Sequence, residues 1–223
     1  LHQGFGFVPE EHGYYIVEAF LQRGKKIIAT GKEKILSIKI DTTHFPEEIA
    51  VIDTAGRIQK MLGTFTTIST SGYTHDSLPD NGLLIANDLP ANYTNHMDDL
   101  KKPLIDWITN GNTFLALTNT SDWAEYFDRK EVVDYYGRED AWILWYGGNF
   151  FVREHPLFKD LPVNTAFNWE YQSLAIYDRE RYGLRLKGEE CVAGLQVDHK
   201  KELYSSVCII PCGDGHIILS TLD

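Results

Sequence analysis

The chain has 223 residues, enough for one large domain or for one domain with a small appendage. Its net charge is −11 and no run is rich in Lys or Arg, so nucleic acid and anionic membranes are poor partners, because phosphate is bound by basic surfaces. No apolar stretch approaches the length of a membrane-spanning helix. The chain opens with Leu1 rather than Met, and we expect it to be a piece of a longer protein.

Residues 1–45 have the pattern of a small β segment. Apolar positions alternate between Tyr15 and Leu21, and the turn-forming triplet Arg23-Gly24-Lys25 follows. The pattern predicts two or three antiparallel strands. Because two strands are not stable alone in water, we expect them to pair with the main domain or with strands further upstream.

Residues 46–223 are predicted to form the main domain, which begins with an alternation of strands and helices. The run 81–88 is almost continuously apolar, as in strands buried on both faces of a sheet. This alternation predicts an α/β fold with a mostly parallel sheet and helices on both of its faces. The predicted strands are 47–53, 65–70, 81–88 and 113–120, and the predicted helices are 54–63 and 95–112. Pro103 either kinks the second helix or stands in the first turn of a helix that starts near Lys102.

The pattern is less regular after residue 120. A short helix is predicted over 121–127, and late strands over 189–198, 203–215 and 216–223. A tight turn is predicted at Gly213-Asp214-Gly215, between the last two strands.

Motifs for nucleophilic, nucleotide and metal chemistry are absent from the sequence. No G-x-S-x-G or G-x-C-x-G elbow occurs, and no glycine-rich phosphate loop follows a strand. His96 with Asp98-Asp99, and Asp198 with His199, lack the spacing of a known ligand set. The chain has three cysteines, Cys191, Cys208 and Cys212. An odd count is not that of a disulfide framework, and we interpret all three as structural. We therefore predict no cofactor and no metal.

Two further groups of residues permit carbohydrate chemistry. Asp122, Glu125, Glu154 and Glu170 are candidates for a catalytic carboxylate pair, although most carboxylates are simply solvated. Aromatic residues concentrate in the second half of the chain, and they serve either as core packing or as platforms for sugar rings. They are Trp123, Tyr126, Trp142, Trp145, Tyr146, Phe150, Phe151, Trp169 and Tyr171.

The stretch "HPLFKDLPVNTAFNWEYQ", residues 155–172, combines two prolines with apolar anchors and several polar groups. It resembles a segment in the C-terminal regions of bacterial glycoside hydrolase family 2 proteins, the β-galactosidase-like group. Two further stretches, "LKKPLIDWITNGNTFLALTN" and "GDGHIILSTLD", resemble other segments of the same group. The first forty residues resemble the end of an immunoglobulin-like β-sandwich.

The resemblance implies a class I glutamine amidotransferase-like (flavodoxin-like) α/β domain that lacks the catalytic Cys, placed after a partial β-sandwich. It implies a non-catalytic accessory domain that binds carbohydrate or contacts neighbouring domains of a periplasmic or extracellular parent hydrolase. An active enzyme with an amidotransferase-like fold and an oligomerisation domain are the alternatives. The segment is interpreted first as a structural loop, and its candidates for ligand binding are His155, Asn168, Trp169, Glu170, Tyr171 and Gln172.

Overall fold

The computed structural model describes residues 9–38, 48–53, 55–63, 67–70, 78, 82–87, 104–140, 149–166, 171, 182–197 and 201–222. The chain divides into two compact units, Leu1–Thr43 and His44–Asp223, and each is described by itself. The assignment of residues 1–45 to an immunoglobulin-like sandwich stays a prediction.

The first unit contains a β-hairpin. Strands β1 (Gly13–Arg23) and β2 (Lys26–Ser37) pair antiparallel around a turn in which Gly24 has a φ of 63°. The predicted strands and turn are therefore confirmed. Large apolar side chains on this hairpin are exposed, namely Tyr14, Ile16, Phe20, Leu21, Ile27 and Ile28.

The second unit is built on one mixed sheet. Its strands are β3 (Glu48–Asp53), β4 (Thr67–Thr70), β5 (Leu83–Asn87), β6 (Thr113–Ala116), β7 (Asp134–Asp140), β8 (Asn149–Val152), β9 (Thr165–Ala166), β10 (Tyr182–Lys187), β11 (Glu190–Val197), β12 (Glu202–Cys212) and β13 (Gly215–Ser220). Its helices, among the described residues, are α1 (Arg57–Leu62), α2 (104–109) and α3 (Thr120–Asp128), with a 3₁₀ turn at Pro156–Phe158.

The strand order shows that the predicted fold class is wrong. The order is β4-β3-β5-β6-β13-β12-β11-β8-β9, and β10 pairs with β12 and β7. The first five strands in this order are parallel, as predicted, but all pairings from β12 onward are antiparallel. The molecule is mostly β with a mixed sheet and few helices, not a helix-rich amidotransferase-like (flavodoxin-like) domain.

Short connections in the second half explain the difference. Only Gly213 and Asp214 join β12 to β13, and only four residues, 198–201, join β11 to its antiparallel neighbour β12. A parallel crossover needs a dozen or more residues, so linkers of this length impose antiparallel neighbours. The predicted turn at Gly213-Asp214 is confirmed, because Cys212 and Gly215 face each other across it.

Side chains that alternate along the parallel strands are buried on opposite faces of the sheet. Ala50 and Ile52 join a core with α2 and α3, whereas Ile49 and Val51 pack in a second core with Ile58 of α1. Within α1, Ile58 is buried and Met61 is exposed. Helices thus cover both faces of the parallel half of the sheet.

The segment beginning at His155 packs on the antiparallel half. Phe158 and Tyr171 belong to a third core, which also contains Val152, Val192 and Val207. The rings of Phe158 and Tyr171 meet edge to face, with centroids 6.2 Å apart. Two buried aromatic residues thus attach this segment to the sheet, as expected of a structural loop. Leu157, one of the apolar residues of this segment, is by contrast 51% exposed.

Candidate functional site

A pocket of about 250 Å³ lies where β6 and β13 end and α3 begins. The two strands are parallel neighbours, so their carboxyl ends lie at the same edge of the sheet. In sheets with parallel strands this edge is where ligands commonly bind. The pocket is lined by Leu117, Thr118, Asn119, Thr120, Ser121, Asp122, Arg138, Tyr182 and Thr221.

The turn from β6 into α3 shapes one wall of the pocket. Asn119 adopts a left-handed conformation with φ 50° and ψ 36°, and its carbonyl accepts hydrogen bonds from the backbone N–H groups of Asp122 and Trp123. Asn and Asp tolerate this conformation better than most residues, which explains how so sharp a turn is accommodated. The first turn of α3 therefore presents Ser121 and Asp122 to the pocket.

Two hydroxyl contacts, one buried and one partly buried, hold the remaining elements around the pocket. Thr120 Oγ1 donates to the carbonyl of Ser220 over 2.7 Å, which ties α3 to the end of β13. Thr221 Oγ1 donates to the carbonyl of Tyr182, also over 2.7 Å, which ties the end of β13 to β10. The pocket is thus assembled from segments that are far apart in sequence.

The opposite wall carries a cation above an aromatic ring. The guanidinium carbon of Arg138 lies 4.9 Å from the ring centroid of Tyr182, a cation–π geometry. Arg138 Nε also lies 3.5 Å from a carboxylate oxygen of Asp140, with both side chains substantially exposed. An exposed pair of this kind contributes little to stability, so the guanidinium keeps the ability to bind a ligand as well.

Acidic side chains of α3 influence the tyrosine next to this wall. Burial raises the pKa of Tyr135 to about 12, and the charges of Glu125 and Asp122 add to the rise while Arg138 opposes it. Tyr135 is therefore a neutral phenol at physiological pH, and it can donate a hydrogen bond but is not a general base. Burial likewise raises the pKa of Tyr126, which lies in the core.

The predicted site residues that the structure describes lie elsewhere, in the loop region. His155 is half-buried, and its Nδ1 accepts a hydrogen bond of 3.2 Å from the backbone N–H of Leu157. Tyr171 is 1% exposed, and its hydroxyl donates to the carbonyl of Pro162. The other four predicted residues, Asn168, Trp169, Glu170 and Gln172, lie outside the described residues.

The three candidate carboxylates that the structure describes are not brought together as a group. Asp122 lines the pocket, and Glu125 is one turn further along the same helix. Glu154 lies in an exposed loop, where Oε2 accepts a hydrogen bond of 3.3 Å from Asn164 Nδ2. Glu170 lies outside the described residues.

Three of the five described aromatic candidates, Trp123, Tyr126 and Tyr171, are core residues. Trp123, Tyr126 and Phe127 of α3 are fully buried. The rings of Trp123 and Phe127 contact Phe114 of β6, and the ring of Tyr126 contacts both of them. Phe150 and Phe151 are partly buried, and Trp142, Trp145 and Tyr146 lie outside the described residues. Tyr182 is the aromatic side chain that the structure places in the wall of the pocket.

The cysteines have the environment of structural residues. Cys208 and Cys212 are buried, and Cys191 is partly exposed. Burial raises the pKa of both Cys191 and Cys208, which favours the protonated thiol over the nucleophilic thiolate. These environments count against a thiol-dependent enzyme. In the part of the chain that the structure describes, no group of three or more His, Cys, Asp or Glu side chains is arranged to hold a metal ion.

A second polar cluster stands at the carboxyl ends of β3 and β5. Asp53 Oδ1 accepts a hydrogen bond of 3.1 Å from Asn87 Nδ2, and Asp53 Oδ2 accepts one of 2.6 Å from the backbone N–H of Ile58. Desolvation acts to raise the pKa of Asp53, but these hydrogen bonds and those from the backbone of Arg57 and Gln59 bring it below its ordinary value. This carboxylate holds the start of α1, so its role is structural.

No protein-family model matches the chain, and a search of the curated proteins finds no match. Within the described ranges, no helix has the length and apolar character needed to cross a bilayer.

Arg138, Tyr182 and Thr221 were not predicted as site residues. Arg138 and Tyr182 lie in β7 and β10, which were not predicted as strands, and Thr221 directly follows β13. One signal could have indicated Thr118 and Asn119. The polar run "TNTSD" directly follows a buried strand, and polar groups at that position reach the ligand-binding edge of a parallel sheet.

Proposed function

We propose that this chain is a non-catalytic accessory part of a glycoside hydrolase and that its pocket binds a sugar ring. The observation that supports the proposal best is the meeting of Asp122, Arg138 and Tyr182 in one pocket. The proposed parent family rests on the resemblance of residues 155–172. The proposed partners are a carbohydrate and the neighbouring domains of the parent chain. A periplasmic or extracellular parent follows from the same resemblance.

The three side chains offer what a sugar ring requires. The Asp122 carboxylate accepts hydrogen bonds from ring hydroxyls, and the Arg138 guanidinium donates to their oxygens. The hydroxyls of Thr118 and Ser121, which also line the pocket, are able to do both. The ring of Tyr182 provides an apolar surface for the C–H face of a sugar.

The size of the pocket limits the ligand. A volume of about 250 Å³ is slightly below the usual range for small-molecule sites, about 300–1,000 Å³. It therefore suits one sugar ring, such as the end of a chain, rather than several consecutive units. A ligand of this size held by a few polar contacts would bind weakly, in keeping with an accessory role.

The proposal is tested by titrating neutral monosaccharides into the protein, with ligand-observed NMR as the readout. We expect weak saturable binding that Asp122→Asn and Arg138→Ala each reduce at least tenfold. Arg185→Ala is the matched control, because Arg185 is an exposed β10 residue that pairs with Glu202 at 3.5 Å and does not line the pocket. Equal binding by all three variants would place the sugar elsewhere, and absence of saturable binding to the wild type would reject carbohydrate binding.

Hydrolysis of a panel of nitrophenyl glycosides tests the non-catalytic part of the proposal separately. We expect no turnover by this chain, and turnover by a longer chain that includes the upstream sequence. Turnover by this chain alone that is lost in Asp122→Asn would contradict the proposal, because the pocket would then be an active site.

The exposed hairpin of the first unit favours a second candidate function, that of an oligomerisation domain. Ile16 is 67% exposed and Leu21 is 60% exposed, and side chains of this kind are usually covered in an assembly. Light scattering across a range of concentrations tests this function. A strict monomer whose mass does not change would count against self-association.

A further inference from the structure

Cys191 and Cys208 occupy directly opposed positions on two antiparallel strands. In the pairing of β11 with β12, the Cα of Cys191 is the partner of the Cα of Cys208. Opposed residues of an antiparallel pair point to the same face, with Cα atoms about 4.5–5.5 Å apart. A disulfide requires a Cα separation of about 4.4–6.8 Å, so the register brings the two thiols within bridging range.

The surroundings of the two thiols permit this bond. Both are free. Cys191 Sγ lies 3.4 Å from the carbonyl of Ala193 and also contacts the Ser205 side chain, and Cys208 Sγ lies 3.8 Å from the carbonyl of Leu219. Thiols form only weak hydrogen bonds, so these contacts are easily given up. The register of β11 and β12 shifts between Cys191 and Ala193, and such irregularities leave the backbone room to adjust. Cys191 is partly exposed, so an oxidant can reach one member of the pair.

The third cysteine is excluded by geometry. Cys208 and Cys212 are four positions apart on β12, a separation of about 13 Å along an extended strand. Cys212 faces Gly215 across the last hairpin, and its Sγ lies 3.7 Å from Thr109 Oγ1. Cys212 is therefore not a partner for either of the other two thiols.

We infer that Cys191 and Cys208 form a cross-strand disulfide when the protein meets a small-molecule disulfide such as oxidised glutathione. The Cys191 thiolate attacks one sulfur of the oxidant, which forms a mixed disulfide and releases one glutathione thiolate. The sulfur of Cys208 then attacks Cys191 Sγ, and its proton leaves with the second glutathione, which is released as a thiol. The two cysteines lose two electrons, which reduce the oxidant to two thiols.

The bond would couple β11 to β12 covalently and so stabilise the antiparallel half of the sheet. It closes a loop that contains the turn between these strands, and closing a loop restricts the unfolded chain. We expect the oxidised protein to have a melting temperature several degrees above that of the reduced protein. This inference is independent of the proposed sugar site, because neither cysteine lines the pocket.

The test uses the reduced chain incubated with oxidised glutathione, quenched with acid, denatured and alkylated. We expect only one of the three thiols to be alkylated. Before alkylation, the mass of the oxidised chain should be lower than that of the reduced chain by two hydrogen atoms. Lys200 and Lys201 lie between the two cysteines in sequence, so trypsin separates them into peptides that only a disulfide joins. Cys212→Ser is the matched control: it should give the same linked peptides and leave no thiol to alkylate.

Three outcomes would overturn the inference, and all are measured on the wild-type chain. The first is alkylation of all three thiols after treatment with the oxidant. The second is a lasting glutathione adduct on Cys191 with Cys208 still alkylated. The third is a bond between Cys208 and Cys212, which would join no separate tryptic peptides and would be lost in Cys212→Ser.

Discussion

Thr120 and Ser220 are one hundred positions apart in sequence, yet Thr120 Oγ1 donates a 2.7 Å hydrogen bond to the carbonyl of Ser220. The hydroxyl is buried, since Thr120 is 0% exposed. This bond ties the first turn of α3 to the last strand of the sheet, and the pocket opens directly beside it. The position of Asp122 in the pocket therefore depends on a contact that spans almost half of the chain.

Replacing Thr120 with Val should lower the free energy of unfolding by about 2 kcal/mol. The new side chain has a similar shape, but the buried carbonyl of Ser220 loses its donor, and an unsatisfied buried group costs about 1–3 kcal/mol. Chemical denaturation measures the change. Ser121→Ala, at the next and partly exposed position, is the control and should change stability by less than about 0.5 kcal/mol. Equal losses in the two variants would contradict the role given to Thr120.

Tyr171 should be essential to the structural loop, and Leu157 should not. Removing the hydroxyl in Tyr171→Phe leaves the carbonyl of Pro162 without this donor and should cost about 1 kcal/mol. Tyr171→Ala also empties a buried space and should cost about 4 kcal/mol. Leu157→Ala, at a side chain that is 51% exposed, should be within about 0.5 kcal/mol of the wild type. A large loss in the Leu157 variant would show that this part of the loop is covered.

Asp53 should make stability depend on pH in the acidic range. Its pKa is lowered in the folded state from an ordinary value of 3.8, so the folded protein binds the proton less readily than the unfolded chain does. The contribution is therefore fully present above the ordinary value and is lost as the pH falls through the folded value. Denaturation at a series of pH values should show this fall in the wild type and a weaker one in Asp53→Asn. Asp214→Asn, in an exposed turn, should retain the wild-type slope.

Gly215→Ala should strongly destabilise the last hairpin. A Cβ at this position would lie 2.1 Å from the carbonyl oxygen of Ile108 and 2.2 Å from that of Asn112, and both are backbone atoms. Overpacking against a rigid backbone costs about 3 kcal/mol, measured as a loss in unfolding free energy. Gly31→Ala is the control, because nothing lies within 4 Å of its added Cβ. An unchanged melting temperature for Gly215→Ala would show that the turn is able to move aside.

The elements that were predicted well are those whose pattern is strongly apolar. The strands β3, β5 and β13 are buried runs, and the hydrophobic residues that identify them are the same residues that pack in the cores. The strands β7 and β10 were missed. Their sequences, "DYYGRED" and "YGLRLK", carry charges on exposed positions and resemble loops until a neighbouring strand is known.

The sequence alone determined the local structure of the parallel half, because apolar periodicity and helix-ending glycines act within a few residues. Only the tertiary structure decided the fold class and the pocket. Whether a late strand runs parallel or antiparallel depends on the neighbouring strand with which it pairs. The pocket is lined by residues near 120, 138, 182 and 221, which are distant in sequence. No local pattern encodes contacts of that range, because they form only when distant elements bury their apolar faces on one sheet.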